Sequence, residues 1–317
     1  MKNRILISIL IVAVLAGVFL LKAYVSPLFF DFFIAIIAGL GAYEMSNMLA
    51  RVGKFNFKYL AVCFAPFLMA LKILGVYTSS KVGTSWVLAI FVACDFALAV
   101  LFALLGFLWS LIVNKKTREE MKIRKTQDSL SKFSFKKACN TIYAMLYPSI
   151  ALMFFVFINH ISELPGEKVS ALGGGFSLFM LLSAVLIPCI TDTFAMLCGM
   201  LIGGKKLCPK ISPKKTISGA IGGTLFCVLI LACVYLIFNS TAFSSSLGVS
   251  IWVYLLIVLI GSLISQAGDI FESFLKRKSD IKDSSHMLSS HGGFLDRTDS
   301  YMFVAPYMFL VAILLII

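Results

Sequence analysis

Charged side chains are scarce in this sequence: Asp, Glu, Lys and Arg together make up 14% of its 317 residues, against about 25% in ordinary soluble domains. A water-soluble core of this length would need a polar surface that so few charges cannot provide. Hydrophobic residues make up 60% of the chain and the mean hydropathy is +0.98. The composition therefore excludes a soluble globular domain and predicts a polytopic membrane protein.

Common metal, redox and nucleotide motifs are also missing. None of the eight Cys has the C-x-x-C spacing of a zinc site, and all fall in apolar runs or in segments predicted to be cytoplasmic, so no disulfide framework is expected. The chain has no Walker phosphate loop. It also has no internal repeat, which argues against a transporter built from duplicated halves.

Long apolar runs fill most of the chain, and each is near or above the length that crosses a bilayer as a helix. We therefore predict an all-α, polytopic transmembrane fold with about nine spans. The first run is expected to be a retained span, because about seventeen apolar residues exceed a typical signal-peptide core and no A-x-A cleavage site follows. The runs lie at 5–21, 28–49, 58–77, 85–113, 140–161, 175–202, 217–238, 249–275 and 301–317.

The basic residues are distributed unevenly between the two sides of these spans. Of the 28 Lys and Arg, 24 fall in alternate segments that begin with the N-terminus. The positive-inside rule then predicts a cytoplasmic N-terminus and an outside C-terminus. The net charge of +13 is explained by topology, so membrane lipids rather than nucleic acid are the expected partners. The longest basic loop, 115–138, is expected to be solvated and to touch anionic lipid heads.

Acidic residues inside apolar runs are costly and are functional candidates by default. They are Asp31, Glu44, Asp95, Asp192, Asp269 and Glu272. Asp31 and Asp95 fall near predicted span ends, where water can reach them. Asp269, Glu272, Ser273 and Lys276 share one helix face by spacing, an arrangement that suits either ion binding or salt bridges within the helix.

The following segment, KRKSDIKDSSHMLSSHGGFLDRTDS (276–300), adds further charges to the end of that helix. Asp269 and Asp296 could together hold a hard divalent cation that also binds phosphate oxygens, and nearby Lys and Arg would hold the remaining phosphate charge. His291 could be an acid, a phosphate donor or a structural residue. The backbone amides at Gly292 and Gly293 are free to face an anion.

The preceding basic segment, GKKLCPKISPKKTISGAIGG, contains five lysines and ends at the start of a helix, where the N-terminus favours anions. It is either the second half of the same site or an orientation signal. Asp192 lies about three helical turns before this segment. The sequence therefore divides into N-terminal spans, 1–170, and a C-terminal region, 171–317, that carries the candidate site.

These residues resemble the phosphatidate cytidylyltransferase (CDP-diacylglycerol synthase) family. Its C-terminal motif, S-x-x-K-R, then K-D, then H-G-G-x-x-D-R-x-D, is matched by Ser273, Lys276-Arg277, Lys282-Asp283, His291-Gly292-Gly293, Asp296-Arg297 and Asp299. The upstream family pattern is matched by Asp192, Ala195, Gly199, Ser212, Pro213, Lys214, Lys215, Thr216 and Gly219. Glu44 resembles an early family Glu. The chain departs from the family pattern at Met196, Ile217, Ser218 and Ser289, and Ser218 replaces an acidic or amide residue.

The resemblance implies a reaction in which phosphatidic acid attacks the α-phosphorus of CTP, giving CDP-diacylglycerol and pyrophosphate. It implies Mg²⁺ held by Asp269 and Asp296, with a monovalent cation such as K⁺ as a further candidate. It implies phosphate contacts from Lys214, Lys215, Lys276, Arg277, Lys282 and Arg297. It implies hydrogen-bonding roles for Ser212, Thr216, Ser273 and His291, and ligand or ligand-orienting roles for Asp283 and Asp299.

The expected location is the inner membrane of a bacterium, with the site facing the cytoplasm, and a homodimer is the candidate assembly. Two other readings remain open at this point. One is a related CTP-dependent enzyme, either a polyprenol kinase or a cytidylyltransferase for another lipid phosphate. The other is a cation-coupled transporter whose intramembrane acids line a path.

Overall fold

The computed structural model describes residues 2–79, 84–163, 167–240, 249–281, 283–285, 287 and 292–316. The predicted all-α, polytopic class is confirmed, because helices form nearly all of the described chain. They are α1 (Lys2–Tyr24), α2 (Leu28–Arg51), α3 (Lys58–Ser79), α4 (Thr84–Ile112), α5 (Lys115–Ile123), α6 (Leu130–Met145), α7 (Ala151–His160), α8 (Glu167–Ile202), α9 (Ile217–Ser240), α10 (Ile251–Lys278), α11 (Leu295–Thr298) and α12 (Tyr301–Ile316). A π-helical turn, Leu146–Ile150, joins α6 to α7, and a 3₁₀ turn, Ile161–Glu163, follows α7.

Eight helical segments among the described residues are long and apolar enough to cross a membrane. They are Leu28–Arg51, Lys58–Gly75, Ala93–Ile112, Leu130–Glu163, Gly175–Ile202, Ile217–Ser240, Ile251–Lys278 and Leu295–Ile316. Each corresponds to one predicted run, with ends that differ by several residues at some sites. The first predicted run falls in α1, of which Ala13–Tyr24 forms a shorter apolar helix. The count of nine spans and the orientation stay predictions.

The chain folds into two compact units. The first contains Met1–Gly75, Trp86–Met153 and Ser279–Arg297, and the second contains Val76–Ser85, Phe154–Lys278 and Thr298–Ile317. The predicted division into 1–170 and 171–317 is a different partition and stays a prediction.

In the first unit, an ion pair between Lys72 of α3 and Asp95 of α4 lies inside the fold, with both residues about 1% exposed. Asp95 was expected near water at a span end. It is instead buried, and a lysine one helix away provides the opposite charge that a buried carboxylate needs. Asp95 is therefore explained by packing and contributes no candidate site.

In the second unit, small residues allow α8 and α9 to pack closely. A Cβ added at Gly219 would lie 2.5 Å from the Ala195 carbonyl oxygen, and one at Gly223 would lie 2.6 Å from that of Thr191. Glycines spaced by four residues permit this approach between membrane helices. Hydroxyl hydrogen bonds extend the contact to α10, where Thr191 donates to Ser262 at 2.9 Å.

The segment between α8 and α9 forms a short antiparallel hairpin of β1 (Lys206–Cys208) and β2 (Ser212–Thr216), in which Lys206 pairs with Thr216. We call this the lysine hairpin. Charge and proline content predict a rigid basic segment here, but not strands, because two paired strands of three and five residues leave no long alternating pattern in the sequence. Gly203 and Gly204 begin the turn with φ of 66° and 103°, which glycine tolerates.

Candidate active site

In the second unit, a group of charged side chains lies at the end of α10 that is predicted to face the cytoplasm. On α10, Glu272 is buried and its Oε2 lies 2.6 Å from Lys276 Nζ, one turn later. Asp269 Oδ2 lies 2.5 Å from Lys215 Nζ, which comes from β2 of the lysine hairpin. The predicted pairing within the helix is therefore confirmed for Glu272 and Lys276. The Asp269 contact instead joins two distant segments of the sequence.

Asp299 adds a third carboxylate to this group. It is 7% exposed, and its Oδ1 accepts a hydrogen bond of 2.7 Å from the Ser300 backbone N–H. Its side chain lies within electrostatic range of Asp269, Glu272 and Asp192. We call these four residues the carboxylate cluster. Like charges gathered in a partly buried place repel one another, so the cluster favours the binding of a cation.

Two local features position the carboxylate cluster. Ser300 Oγ donates a hydrogen bond of 3.2 Å to Asp192 Oδ2, which joins α8 to the segment before α12. A Cβ added at Gly268 would lie 2.9 Å from the Asp299 carbonyl oxygen, so only a residue without a side chain allows α10 so near this segment. The sequence indicated Asp269, Asp192 and Asp299 separately, and the fold brings them into one electrostatic group.

The chemistry of the carboxylate cluster fits Mg²⁺. This ion takes one or two carboxylates from the protein and completes its octahedron with water and substrate phosphates. In the part of the chain that the structure describes, no group of three or more His, Cys, Asp or Glu side chains is placed so that it could hold a metal ion. Asp269 is partly exposed, with 28% of its side chain accessible, so a bound phosphate and its metal can reach it.

The lysine hairpin is held to both neighbouring helices. Arg277 Nε donates to the Ile211 carbonyl oxygen at 3.3 Å. Thr216 is buried and caps α9, since its Oγ1 accepts a hydrogen bond of 3.1 Å from the Gly219 N–H. The Ile217 N–H donates to the Lys205 carbonyl oxygen at 3.0 Å. Two of the N–H groups expected to face an anion are thus bound by the chain, and anion binding here depends on the lysines.

Other predicted site residues of this region differ in exposure. Lys214 and Arg277 are exposed, whereas Ser212 and Ser273 are half-buried. Ser218, which departs from the family pattern, donates a hydrogen bond to the Gly203 carbonyl oxygen. Its hydroxyl therefore closes the turn between α8 and the lysine hairpin.

A different arrangement surrounds Glu44 of α2 in the first unit. Glu44 is fully buried, and its two oxygens accept hydrogen bonds from the Phe294 N–H at 3.1 Å and the Leu295 N–H at 2.7 Å. The hydroxyls of Ser284 and Ser285 also donate to it. Backbone and hydroxyl donors therefore compensate its charge from several directions.

Asp296 plays a similar part in the same segment. It accepts hydrogen bonds from the Ser284 N–H at 3.0 Å and the Gly293 N–H at 2.8 Å, and it shares the single Ser284 hydroxyl proton with Glu44. We call the described residues of 283–297 the Glu44 loop. The backbone amides of Gly292 and Gly293 were predicted to face an anion. In the structure, the Gly293 N–H faces the Asp296 carboxylate, which is an anion of the chain itself.

The glycine pair is required by this packing. Gly292 has φ of 80°, and a Cβ there would lie 2.7 Å from Asp296 Oδ2, while one at Gly293 would lie 2.5 Å from Glu44 Oε2. Asp283 and Arg297 are exposed. Lys282 and His291 lie outside the described residues, so their roles stay predictions.

Sequence reasoning gave Glu44 only a faint indication and missed the serines that bind it. A carboxylate in the middle of an apolar helix was a correct signal that something polar packs against it. The partners lie about 240 residues later in the chain, and Ser284 and Ser285 carry no distinctive spacing. Gln266, whose Nε2 donates to Thr224 Oγ1 at 2.8 Å between α10 and α9, was missed for the same reason.

Together, the apolar helices and the charged cluster at the end of α10 define an integral membrane protein with a polar site built from carboxylates and lysines. The model of the cytidylyltransferase family matches residues 2–315, so the chain belongs to that family.

Several relatives of this chain are named phosphatidate cytidylyltransferase. The proteins of Staphylococcus aureus (strain COL), Staphylococcus haemolyticus and Staphylococcus epidermidis are 42%, 38% and 38% identical to this chain over 180 residues. In each case the match covers 57% of this chain and 61% of the relative. The chain thus matches about three fifths of the length of these relatives.

Proposed function

We propose that this protein is a phosphatidate cytidylyltransferase that converts CTP and phosphatidic acid into CDP-diacylglycerol and pyrophosphate. The observation that carries the proposal is the carboxylate cluster with Lys215 and Lys276 beside it, in a chain of this family. The names of the relatives, phosphatidate cytidylyltransferase, support the same substrates for this protein.

The reaction brings two anions together and releases a third, so charge compensation is its main requirement. The phosphate of phosphatidic acid, whose second pKa is about 6, is already largely ionised at neutral pH and needs no strong base. Lys215 and Lys276 each have a carboxylate partner within 2.6 Å, which holds their ammonium groups in place. We propose that both lysines bind phosphate oxygens, with Arg277 and Lys214 at the exposed edge.

Asp269 and Asp299 are the residues that would hold Mg²⁺ in the second unit. When bound, the ion would supply positive charge to the phosphates and orient them for displacement. Asp299, buried beside Asp269, would otherwise add to the repulsion within the cluster. A metal contact from Asp296 stays a prediction, as does a second, monovalent cation.

The decisive experiment uses the purified protein with phosphatidic acid and CTP labelled at the α- or the γ-phosphate. We expect α-label to enter the lipid and γ-label to leave with pyrophosphate, in a reaction that needs Mg²⁺. A lipid kinase would transfer γ-label to the lipid, and a transporter would move neither. Replacing phosphatidic acid by polyprenyl phosphate separates the remaining alternative, a cytidylyltransferase for another lipid.

We further propose that the site faces the cytoplasm, because most basic residues fall on one predicted side. Cys208 lies on β1 of the lysine hairpin and is partly exposed, so a variant that retains only this cysteine reports the side directly. We expect a membrane-impermeant maleimide to label it in inside-out vesicles and not in intact cells. Cross-linking of the purified protein tests the predicted homodimer separately.

A further inference from the structure

A cavity of about 600 Å³ lies in the first unit, away from every residue given a role above. The residues around it come from the start of α3, the end of α4, the start of α5 and the first half of α6. Its volume is in the range of small-ligand pockets, about 300–1,000 Å³. The helix ends around it belong to predicted spans three and four on the side where most basic residues fall, so the cavity is expected at the level of lipid head groups.

The cavity combines apolar walls with a cationic end. Leu60, Leu105, Trp109 and Val113 provide an apolar surface, and of the thirteen described residues that line the cavity three are lysines and none is acidic. Trp109 is 65% exposed. Trp prefers the membrane–water interface, where its ring contacts both chains and head groups.

The three lysines are not equivalent. The Lys137 side chain is only 4% exposed and its Nζ lies 2.6 Å from Glu120 Oε2, so its ammonium group is paired within the chain and hardly accessible to a ligand. Lys58 Nζ lies 4.5 Å from the centre of the Tyr43 ring, which holds the ammonium group without neutralising it. Lys116 is exposed at the cavity's edge. Lys58 and Lys116 thus provide net positive charge for a ligand.

The backbone around the cavity is fixed by hydrogen bonds. The Phe57 N–H donates to Thr141 Oγ1 at 2.8 Å, and Asn140 Nδ2 donates to the Phe55 carbonyl oxygen at 2.9 Å. These bonds tie the connection before α3 to α6. The floor stays open because residue 106 is glycine: a Cβ there would lie 2.6 Å from Phe57 Cδ2. The cavity is therefore built into the fold and does not depend on a loose loop.

We propose that this cavity binds an anionic glycerophospholipid, with its phosphate at Lys58 and Lys116 and an acyl chain against Leu105 and Trp109. The occupant must be both anionic and apolar, which a free phosphate is not. A second copy of this strongly basic chain would bring further positive charge to the same end. This inference does not depend on the proposed reaction.

The test uses Trp109 as a local probe. Trp86→Phe and Trp252→Phe leave it as the single tryptophan, and its fluorescence is quenched by lipids brominated on their acyl chains. In nanodiscs we expect brominated phosphatidylglycerol to reach half-quenching at a mole fraction about thirtyfold lower than brominated phosphatidylcholine, the effect of roughly two lysine–lipid contacts. Equal quenching by the two lipids would mean ordinary boundary lipid and would overturn the proposal.

Charge reversal supplies the matched control. Lys116→Glu is expected to abolish the preference for the anionic lipid, whereas Lys115→Glu, at the neighbouring exposed position that does not line the cavity, is expected to keep it. Equal loss in both variants would show a general surface-charge effect and contradict a specific site. Size-exclusion profiles and circular dichroism confirm that each variant is folded.

A soluble competitor distinguishes a lipid from a free phosphate. Glycerol 3-phosphate carries the same phosphate without acyl chains, and we expect no recovery of fluorescence when it is added at the concentration of the anionic lipid. Recovery comparable to that caused by unbrominated phosphatidylglycerol would replace the lipid proposal with a phosphate site.

Discussion

In the first unit, the Glu44 and Asp296 carboxylates are surrounded by N–H and hydroxyl donors of the Glu44 loop. In the second unit, Asp269, Glu272 and Asp299 lie within electrostatic range of one another, and lysines contact the first two. A carboxylate whose charge is compensated by backbone donors stabilises the fold. Carboxylates that repel one another favour the binding of a cation, so we propose that the same residue type serves folding in the first unit and metal binding in the second.

The largest effect is expected from Asp269→Asn. Removing one electrostatic contact to the reacting phosphates typically costs about 10²–10³ in kcat, and we expect α-label transfer to fall by about that factor. Binding of Mn²⁺, a paramagnetic substitute for Mg²⁺, should weaken in parallel when followed by electron paramagnetic resonance. Unchanged Mn²⁺ binding would contradict the metal role. Asp280→Asn, at an exposed position just after α10, is the matched control and should leave both measurements unaltered.

The next largest effect is expected on stability, from Glu44→Gln. The amide group of Gln would turn an NH₂ toward donors that now meet carboxylate oxygens, and each buried donor left unsatisfied costs about 1–3 kcal/mol. We expect the free energy of unfolding to fall by about 3 kcal/mol, seen as a lower apparent Tm in detergent.

Proteolysis locates this Glu44 effect. Cleavage within 283–297 should become faster in Glu44→Gln, because Glu44 binds donors near both ends of this segment. Asp283→Asn, an exposed change in the same segment, should stay within about 0.5 kcal/mol of the parent. A Glu44→Gln protein as stable as the Asp283→Asn protein would show that the loop does not depend on the carboxylate.

The helices and the charged motifs could be predicted from the sequence, because both are local. Apolar runs of sufficient length have few alternatives to helices in a membrane, and eight of the predicted runs each overlap one of the eight long helical segments. Lys276 reaches Glu272 because residues four apart on a helix are neighbours. Such contacts follow from spacing alone.

The long-range contacts could not be predicted in the same way. The pairing of Lys72 with Asp95, of Lys215 with Asp269 and of Glu44 with the Glu44 loop each joins segments whose meeting depends on helix packing. The hydrophobic pattern sets which residues are buried but not which helix lies opposite. Asp95 shows the consequence: its position suggested access to water, and a lysine on α3 gave it a buried partner instead.

Gly292→Ala tests whether the glycine pair serves the loop by its conformation or by its size. An alanine at φ of 80° is strained, and its Cβ would lie 2.7 Å from Asp296 Oδ2; together these should cost about 2 kcal/mol. Gly203→Ala has a similar φ, 66°, with nothing within 4 Å of its Cβ. We expect that variant to lose about half as much, as measured by the apparent Tm. Equal losses would mean that backbone strain alone explains the glycine.

The smallest effects are expected when the same change, Asp to Asn, is made at two positions three residues apart. This pair also gives the most direct comparison of the two units. Asp296→Asn removes the charge that Ser284 and Gly293 bind, so it should destabilise the fold by about 1 kcal/mol. Asp299→Asn removes repulsion with Asp269 and Glu272, so without Mg²⁺ and nucleotide it should stabilise by a similar amount, about 1 kcal/mol. The apparent Tm in EDTA gives both signs. If both variants are destabilised, Asp299 is bound by donors of the chain as Asp296 is, and the carboxylate cluster does not favour cation binding.

Mn²⁺ binding by Asp296→Asn tests the remaining metal prediction. A loss of Mn²⁺ binding equal to that of Asp269→Asn would show that Asp296 binds the metal as well as the donors of the Glu44 loop.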